Sequence, residues 1–200
     1  MKTTVQDIFR REAAAIGSIP VSDSYEKAVA IIYQRVHNEK GKVVTSGMGK
    51  AGQIANNIAT TLSSTGTPAV FLHPSEAQHG DLGILQENDV IIAISNSGKT
   101  REITELLNLK NALYPSIPVI VITSDGNSPL AAGADCVIET GAPEEVCALG
   151  LTPTTSTTVM TVIGDALVVL MMKKIGFTAR DYAQRHHGGY LGDRSRQKAG

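Results

Sequence analysis

Short, continuously apolar runs alternate along the chain with longer stretches in which apolar residues return every third or fourth position. From Lys42 onward, Lys42–Ser46 (KVVTS), Pro68–Leu72 (PAVFL), Asp89–Ser95 (DVIIAIS), Pro118–Thr123 (PVIVIT) and Asp135–Glu139 (DCVIE) predict five strands. These runs are apolar throughout rather than alternating, so each predicts a strand covered on both faces. Between them, Lys50–Ser64 carries Ile54, Ile58 and Leu62 at helical spacing, and Thr100–Leu113 predicts a further helix. Strand–helix–strand repetition implies parallel strands joined by right-handed crossovers. The pattern therefore predicts an α/β fold, a three-layer doubly wound sandwich around a five-stranded parallel sheet, flavodoxin- or Rossmann-like.

The flanks read as helical. Thr4–Gly17 and Ser22–His37 are amphipathic, and Thr157–Ile175 predicts a long, very apolar helix ending at Gly176, buried inside the subunit or between subunits. Thr178 then caps a short helix that ends before His186, and the polar stretch from Asp193 is expected to be loose. One domain over residues 1–200 follows, with a helical segment at 1–40, the sheet core at 42–140 and C-terminal helices at 153–186. The apolar stretch Val162–Met172 is broken by Asp165, so no membrane helix is expected. Composition narrows the field further. The 18 Lys+Arg balance 19 Asp+Glu to a net charge of −1, which argues against a broad nucleic-acid-binding face. Cys136 and Cys147 make no disulfide framework, and the N-terminus mixes acids and bases unlike a secretory signal. A soluble, cytoplasmic protein is the expectation.

In doubly wound sheets ligands bind beyond the carboxyl ends of the strands. After the first strand comes Gly47-Met48-Gly49-Lys50-Ala51-Gly52, a G-x-G-x-x-G match in strand-to-helix context. A dinucleotide site also needs an acid at the end of the next strand, where Leu72-His73-Pro74 has none. A tight turn for close helix packing explains the glycines but not Lys50, whose charge opposes the helix dipole and points to an anionic or oxyanionic partner. After the third strand comes Ser95-Asn96-Ser97-Gly98-Lys99-Thr100. Its ending is like a P-loop, but Ala93 stands where the first glycine belongs, which excludes an NTPase. An ordinary helix cap needs only one hydroxyl. Three hydroxyls and Asn96 at a helix start suit a phosphate monoester better. A third loop, Glu144–Thr158, joins paired acids to a hydroxyl-rich run.

These stretches resemble the sugar isomerase (SIS) domain family, and within it the D-arabinose-5-phosphate isomerases. The resemblance rests on Gly47-Met48-Gly49-Lys50, His73-Pro74-Ser75-Glu76-Ala77, His79-Gly80-Asp81-Leu82-Gly83 and Ile94-Ser95-Asn96-Ser97-Gly98. It continues through Leu149-Gly150-Leu151-Thr152-Pro153-Thr154, Gly164-Asp165-Ala166-Leu167 and His186 with Gly188-Gly189, so it covers nearly everything from Lys42 to Gly192. Two positions depart from the family pattern: Lys99 replaces a usual acid, and His187 stands where many relatives have proline. Lys99 would add charge near a phosphate or point to solvent.

The resemblance implies an SIS-type fold and interconversion of D-ribulose 5-phosphate and D-arabinose 5-phosphate through an enediol, supplying Kdo for envelope polysaccharide. It implies a homotetramer. The enediol chemistry needs no redox cofactor, and a metal is optional; with no tight His/Cys/acid ligand spacing along the chain, neither a cofactor nor a metal is expected. Two CBS domains common in relatives are not expected here. Feedback by a downstream sugar nucleotide would then act at the active site or a subunit interface, and a flat activity response to such nucleotides would exclude it. The expected phosphate and substrate set is Ser95, Asn96, Ser97 and Thr100 with Ser46, Gly49 and His79. Glu145 is the expected base, His186 a general acid/base, and Lys50 the oxyanion stabiliser. Glu102 would orient Lys50 or share proton transfer. Each has a plainer alternative: Glu102 suits a helix start, Glu144 and Glu145 suit solvent, His79 could hold a loop shut, His37 suits a helix surface and Cys147 suits packing. The competing functions are an isomerase of a hexulose or heptulose phosphate and a non-catalytic phosphosugar sensor.

Overall fold

The computed structural model describes residues 2–199. Five parallel strands, β1 (Val43–Gly47), β2 (Ala69–Phe71), β3 (Val90–Ile94), β4 (Val119–Thr123) and β5 (Cys136–Glu139), lie in the order β2-β1-β3-β4-β5. The expected α/β sandwich is therefore present, and each strand ends within a residue of its apolar run. The outward step from β1 to β2 and the return past β1 to β3 put the reversal of strand order between β1 and β3. That is where a doubly wound sheet opens a crevice. The register there is unbroken, from Val43 opposite Val90 to Gly47 opposite Ile94.

Both faces of the sheet are covered, as uninterrupted apolar runs require. Val43, Ile92, Ile94, Ile120 and Ile122 face a core built with α2 (Ser24–Ile32), α3 (Gly49–Ser64) and α7 (Thr155–Lys174). Val44, Ile91, Ala93, Val119 and Val121 face the opposite core, with α5 (Arg101–Leu113) and the short α4 (Pro74–Ala77) and α6 (Pro129–Ala132). Neighbouring strand residues thus point into different layers. At the lower end of the sheet the fully buried Asp89 accepts the Lys42 amide at 2.9 Å, the Lys42 ammonium at 2.7 Å and the Gln86 amide at 2.8 Å, fastening β1 to β3.

Four expectations change. The second N-terminal helix does not run to His37 as one α-helix. It widens into a π-helical turn over Tyr33–Asn38, from which Arg35 reaches the carbonyls of Glu87 and Ser116 at 2.9 and 2.7 Å. His37 is half-buried rather than a surface residue, stacked on Tyr33 and 3.2 Å from the Thr67 hydroxyl. The stretch Asp193–Ala199 is not loose, and Gly200 lies outside the described residues. After α8 (Ala179–Arg185), capped by Thr178 and Asp181, the helix α9 (Gly189–Ala199) folds against α8 and buries Ser195. Finally, α7 is long and apolar enough to span a membrane despite Asp165. One face of it instead buries Val159, Ile163, Leu167 and Met171 in the core, while Val169 stays 61% exposed.

Candidate active site

The carboxyl ends of β1 and β3 deliver two loops to the crevice. After β1, α3 begins at once, and Gly52 lies so close to the strand that a Cβ there would come within 2.5 Å of the Gly47 carbonyl oxygen. Close packing thus accounts for the outer glycines of the G-x-G-x-x-G run. Met48, at the helix cap, provides no side-chain hydrogen bond to the helix amides, and Lys50 in the first turn is exposed.

After β3 the chain turns through Ser95–Thr100 into α5. Gly98 has φ +62°, and a Cβ there would be 2.0 Å from the Ser128 hydroxyl. The Asn96 carbonyl accepts the Ser124 amide and hydroxyl at 2.9 and 2.7 Å, and the Gly98 carbonyl accepts the Leu130 amide at 3.2 Å, tying the turn to the ends of β4 and α6. Thr100 is the cap residue of α5, yet its hydroxyl is 2.7 Å from that of Ser95 and makes no cap hydrogen bond. The plain N-cap explanation of these hydroxyls therefore does not hold. The first α5 amides are left without a side-chain partner, together with the positive end of a thirteen-residue helix dipole.

Facing these loops is the segment before α7. The Glu145 carboxylate accepts the Thr154 amide and hydroxyl at 2.7 and 2.9 Å, the Ser156 amide at 3.4 Å and the Ser156 hydroxyl. Burial, the largest single influence, pushes its carboxyl upward. The four hydrogen bonds together outweigh burial and hold it below the ordinary carboxylate range. Glu145 is thus an anion seated on the N-terminus of α7, not a solvated loop charge. Nearby Cys147 accepts the Thr152 amide at 3.3 Å, an interaction that lowers its thiol.

Together these elements enclose a cavity of about 620 Å³. It is lined by Lys50, Ser95, Asn96, Ser97, Thr100 and Glu145, with Met48, Ile94 and Met160 as an apolar wall. The volume lies in the ordinary range for small-molecule sites. Glu144, Ser156 and Thr157 also line it, outside the expected set; in the sequence Glu144 is visible as one of the paired acids, and Ser156 and Thr157 as part of the hydroxyl-rich run before α7.

The other expected residues lie elsewhere. Ser46 is fully buried, its hydroxyl donating to the Leu72 carbonyl at 2.7 Å, a pin between β1 and the end of β2. Gly49, His79 and Glu102 are outside the cavity lining, His79 on an exposed turn after α4 and Glu102 in the first turn of α5. His186 ends α8, its ring stacked on Tyr182 at 3.7 Å and its Nδ1 3.0 Å from the Tyr182 carbonyl oxygen, also outside the lining. Lys99 turns away to pair with Asp125 at 3.8 Å. Among the described residues no three His, Cys, Asp or Glu side chains converge as a metal site.

Residues 36–170 match the SIS domain model. The chain belongs to the SIS domain family. It is 45% identical over 174 residues to the arabinose 5-phosphate isomerase of Pseudomonas aeruginosa, covering 87% of this chain and 52% of that relative. With the corresponding isomerase of Escherichia coli (strain K12) it shares 51% over 153 residues, 76% of this chain and 46% of the relative. The chain thus spans about half the length of the curated relatives it matches. Among solved structures, a candidate phosphosugar isomerase involved in capsule formation from Bacteroides fragilis superposes with a TM-score of 0.94 at 63% identity, covering 95% of this chain and 99% of the other. A protein of E. coli CFT073 in complex with arabinose 5-phosphate superposes with a TM-score of 0.80 at 37% identity, covering 91% and 95%.

Proposed function

We propose that this SIS domain is a sugar-phosphate isomerase interconverting D-ribulose 5-phosphate and D-arabinose 5-phosphate. The observation that carries the proposal is the convergence, in one cavity, of the uncapped start of α5 with its hydroxyl loop, Lys50 and an ionised Glu145. Relatives called arabinose 5-phosphate isomerases and a structural neighbour bound to arabinose 5-phosphate support the choice of a pentose.

In this reading the phosphate dianion sits on the Ser95, Ser97 and Thr100 hydroxyls and the free α5 amides. That places the sugar carbons toward Glu145 and Lys50. Glu145 takes a hydrogen from C1 of the ketose as a proton, and the C2 oxygen is protonated to give the 1,2-enediol. The proton then returns at C2 while O1 loses its own, leaving the aldehyde. Lys50 offsets the negative charge that develops on oxygen. No electrons leave the substrate. The product would feed a cytoplasmic route to Kdo and an envelope polysaccharide, capsule or lipopolysaccharide.

Incubation with ribulose 5-phosphate in deuterated water tests the proposal. Arabinose 5-phosphate carrying deuterium at C2 is expected, whereas unlabelled and unconverted substrate would leave only the binding role of the cavity.

His79 and His186 lie outside the cavity of their own chain, so in this reading a second copy supplies them. The exposed apolar residues Val21 (91%) and Val169 (61%), which line one groove, offer a self-association surface. Mixing an inactive Glu145→Gln chain with an inactive His186→Ala chain is then expected to restore activity through hybrid assemblies. Sedimentation showing a monomer, or mixtures as inactive as their components, would rule out the shared site.

A further inference from the structure

The segment carrying Glu145 is held by a helix that lies outside the matched family region. From α1 (Lys2–Gly17), Arg11 donates to the Glu145 carbonyl oxygen at 3.2 Å. The next residue, Glu12, has Oε1 3.1 Å from the Thr155 hydroxyl, and that same hydroxyl accepts the Val146 amide at 3.1 Å. The Glu145 carbonyl and the Val146 amide are the two polar ends of one peptide unit, so α1 grips that unit from both sides. A peptide plane fixed at both ends fixes the backbone torsion next to the Glu145 Cα, and with it the direction in which the carboxylate leaves the chain.

The link through Thr155 is the stronger of the two. Thr155 is 1% exposed, and its hydroxyl can satisfy both partners only by accepting from Val146 and donating to Glu12. The chain Val146 N–H to Thr155 O–H to the Glu12 carboxylate is polarised in one direction, which strengthens each bond. The other carboxylate oxygen, Glu12 Oε2, is buried with no hydrogen-bond partner. A buried carboxylate oxygen left without a donor is costly, and its presence calls for a return elsewhere. Glu12 also lines a second cavity, of about 420 Å³, whose lining includes Lys50 and Thr157, which also line the substrate cavity.

We propose that Glu12 is a positioning residue that acts through Thr155 to aim the Glu145 carboxylate at the sugar. This rests on the reading of Glu145 as the proton-transferring group and extends the working unit to α1. Misaiming by a fraction of an ångström affects the proton-transfer step more than phosphate binding at the α5 loop.

The test is steady-state isomerisation of ribulose 5-phosphate by the 200-residue chain and its variants, with thermal melts run beside it. Glu12→Ala and Thr155→Val are each expected to lower kcat roughly tenfold while KM stays within about twofold. Glu12→Gln keeps an acceptor for the Thr155 hydroxyl and should recover most of the loss, as should Thr155→Ser. The double variant Glu12→Ala/Thr155→Val should be no slower than either single one, because both break the same link. Unchanged kcat in folded Glu12→Ala and Thr155→Val chains, or losses that simply add, would overturn the proposal while leaving Glu145 in its role. Should Glu145→Gln itself keep normal turnover, the reading beneath the proposal falls, and the two failures are told apart by that one variant.

Discussion

Glu145→Gln is expected to lower kcat by roughly 10²-fold or more, the usual weight of a positioned general base. The expectation follows from the charge state. A carboxylate held below its ordinary range by four donors is ionised at neutral pH, ready to accept a proton, and an amide cannot accept one. KM should move little, because the hydroxyl loop at Ser95–Thr100 belongs to another wall of the cavity. The side chain also serves α7, and glutamine can keep only part of that service. Its single oxygen can accept the Thr154 amide, but its NH₂ then faces the Ser156 hydroxyl, which must rotate to accept instead of donate. A melt must therefore accompany the assay. A chain that melts near the parent but turns over two orders of magnitude more slowly has lost chemistry, not fold. Deuterium wash-in at C2 should fall in parallel. Turnover within about threefold of the parent would move proton abstraction to another group, such as Glu102 or a histidine.

The fold was largely legible because its signal is collective. Five apolar runs, with clear helical periods after the first and the third, admit few arrangements once parallel strands need crossovers on both faces. Single side chains carry no such redundancy. Ser46 stands next to the glycine turn and reads as a ligand, yet its hydroxyl is spent on the Leu72 carbonyl, a pairing set by how far β2 extends. Glu145 taken by itself reads as a loop charge, and only the family resemblance marks it as the base, because its four donors depend on the turn that brings residues 154–156 back over it. The polar tail reads as loose because composition scores it residue by residue. In the structure α9 gains its hold from packing on α8 and from one buried serine. The same limit hid Glu12, which lies far from every motif and meets Thr155 only in three dimensions.

Gly98→Ala is expected to damage stability and phosphate binding together, through the backbone rather than through any missing side chain. At φ +62° a Cβ costs roughly 1–2 kcal/mol in the left-handed region. Here the added carbon would also stand 2.0 Å from the Ser128 hydroxyl oxygen and 2.3 Å from the Ser128 Cβ. Neither atom belongs to a long, flexible side chain, and Ser128 caps α6 through the Ala131 amide, so it has little freedom to withdraw. Overpacking of this kind adds roughly 1–3 kcal/mol, and a total of about 2–5 kcal/mol corresponds to a Tm lower by about 4–20 °C for a chain of this size. Relief can come only from lifting the turn off β4 and α6, which breaks the bonds at the Asn96 and Gly98 carbonyls and shifts Ser97 and Thr100. Each hydrogen bond to the charged phosphate is worth roughly 1.5–3 kcal/mol, so breaking one should raise KM for the sugar phosphate by about ten- to a hundredfold. The change in KM distinguishes this variant from those at Glu145 and Glu12, whose deficits lie in kcat. A Gly98→Ala chain that melts with the parent and binds the sugar phosphate equally well would show that the turn has room the geometry denies it. The phosphate would then have to be seated on some wall of the cavity other than the start of α5.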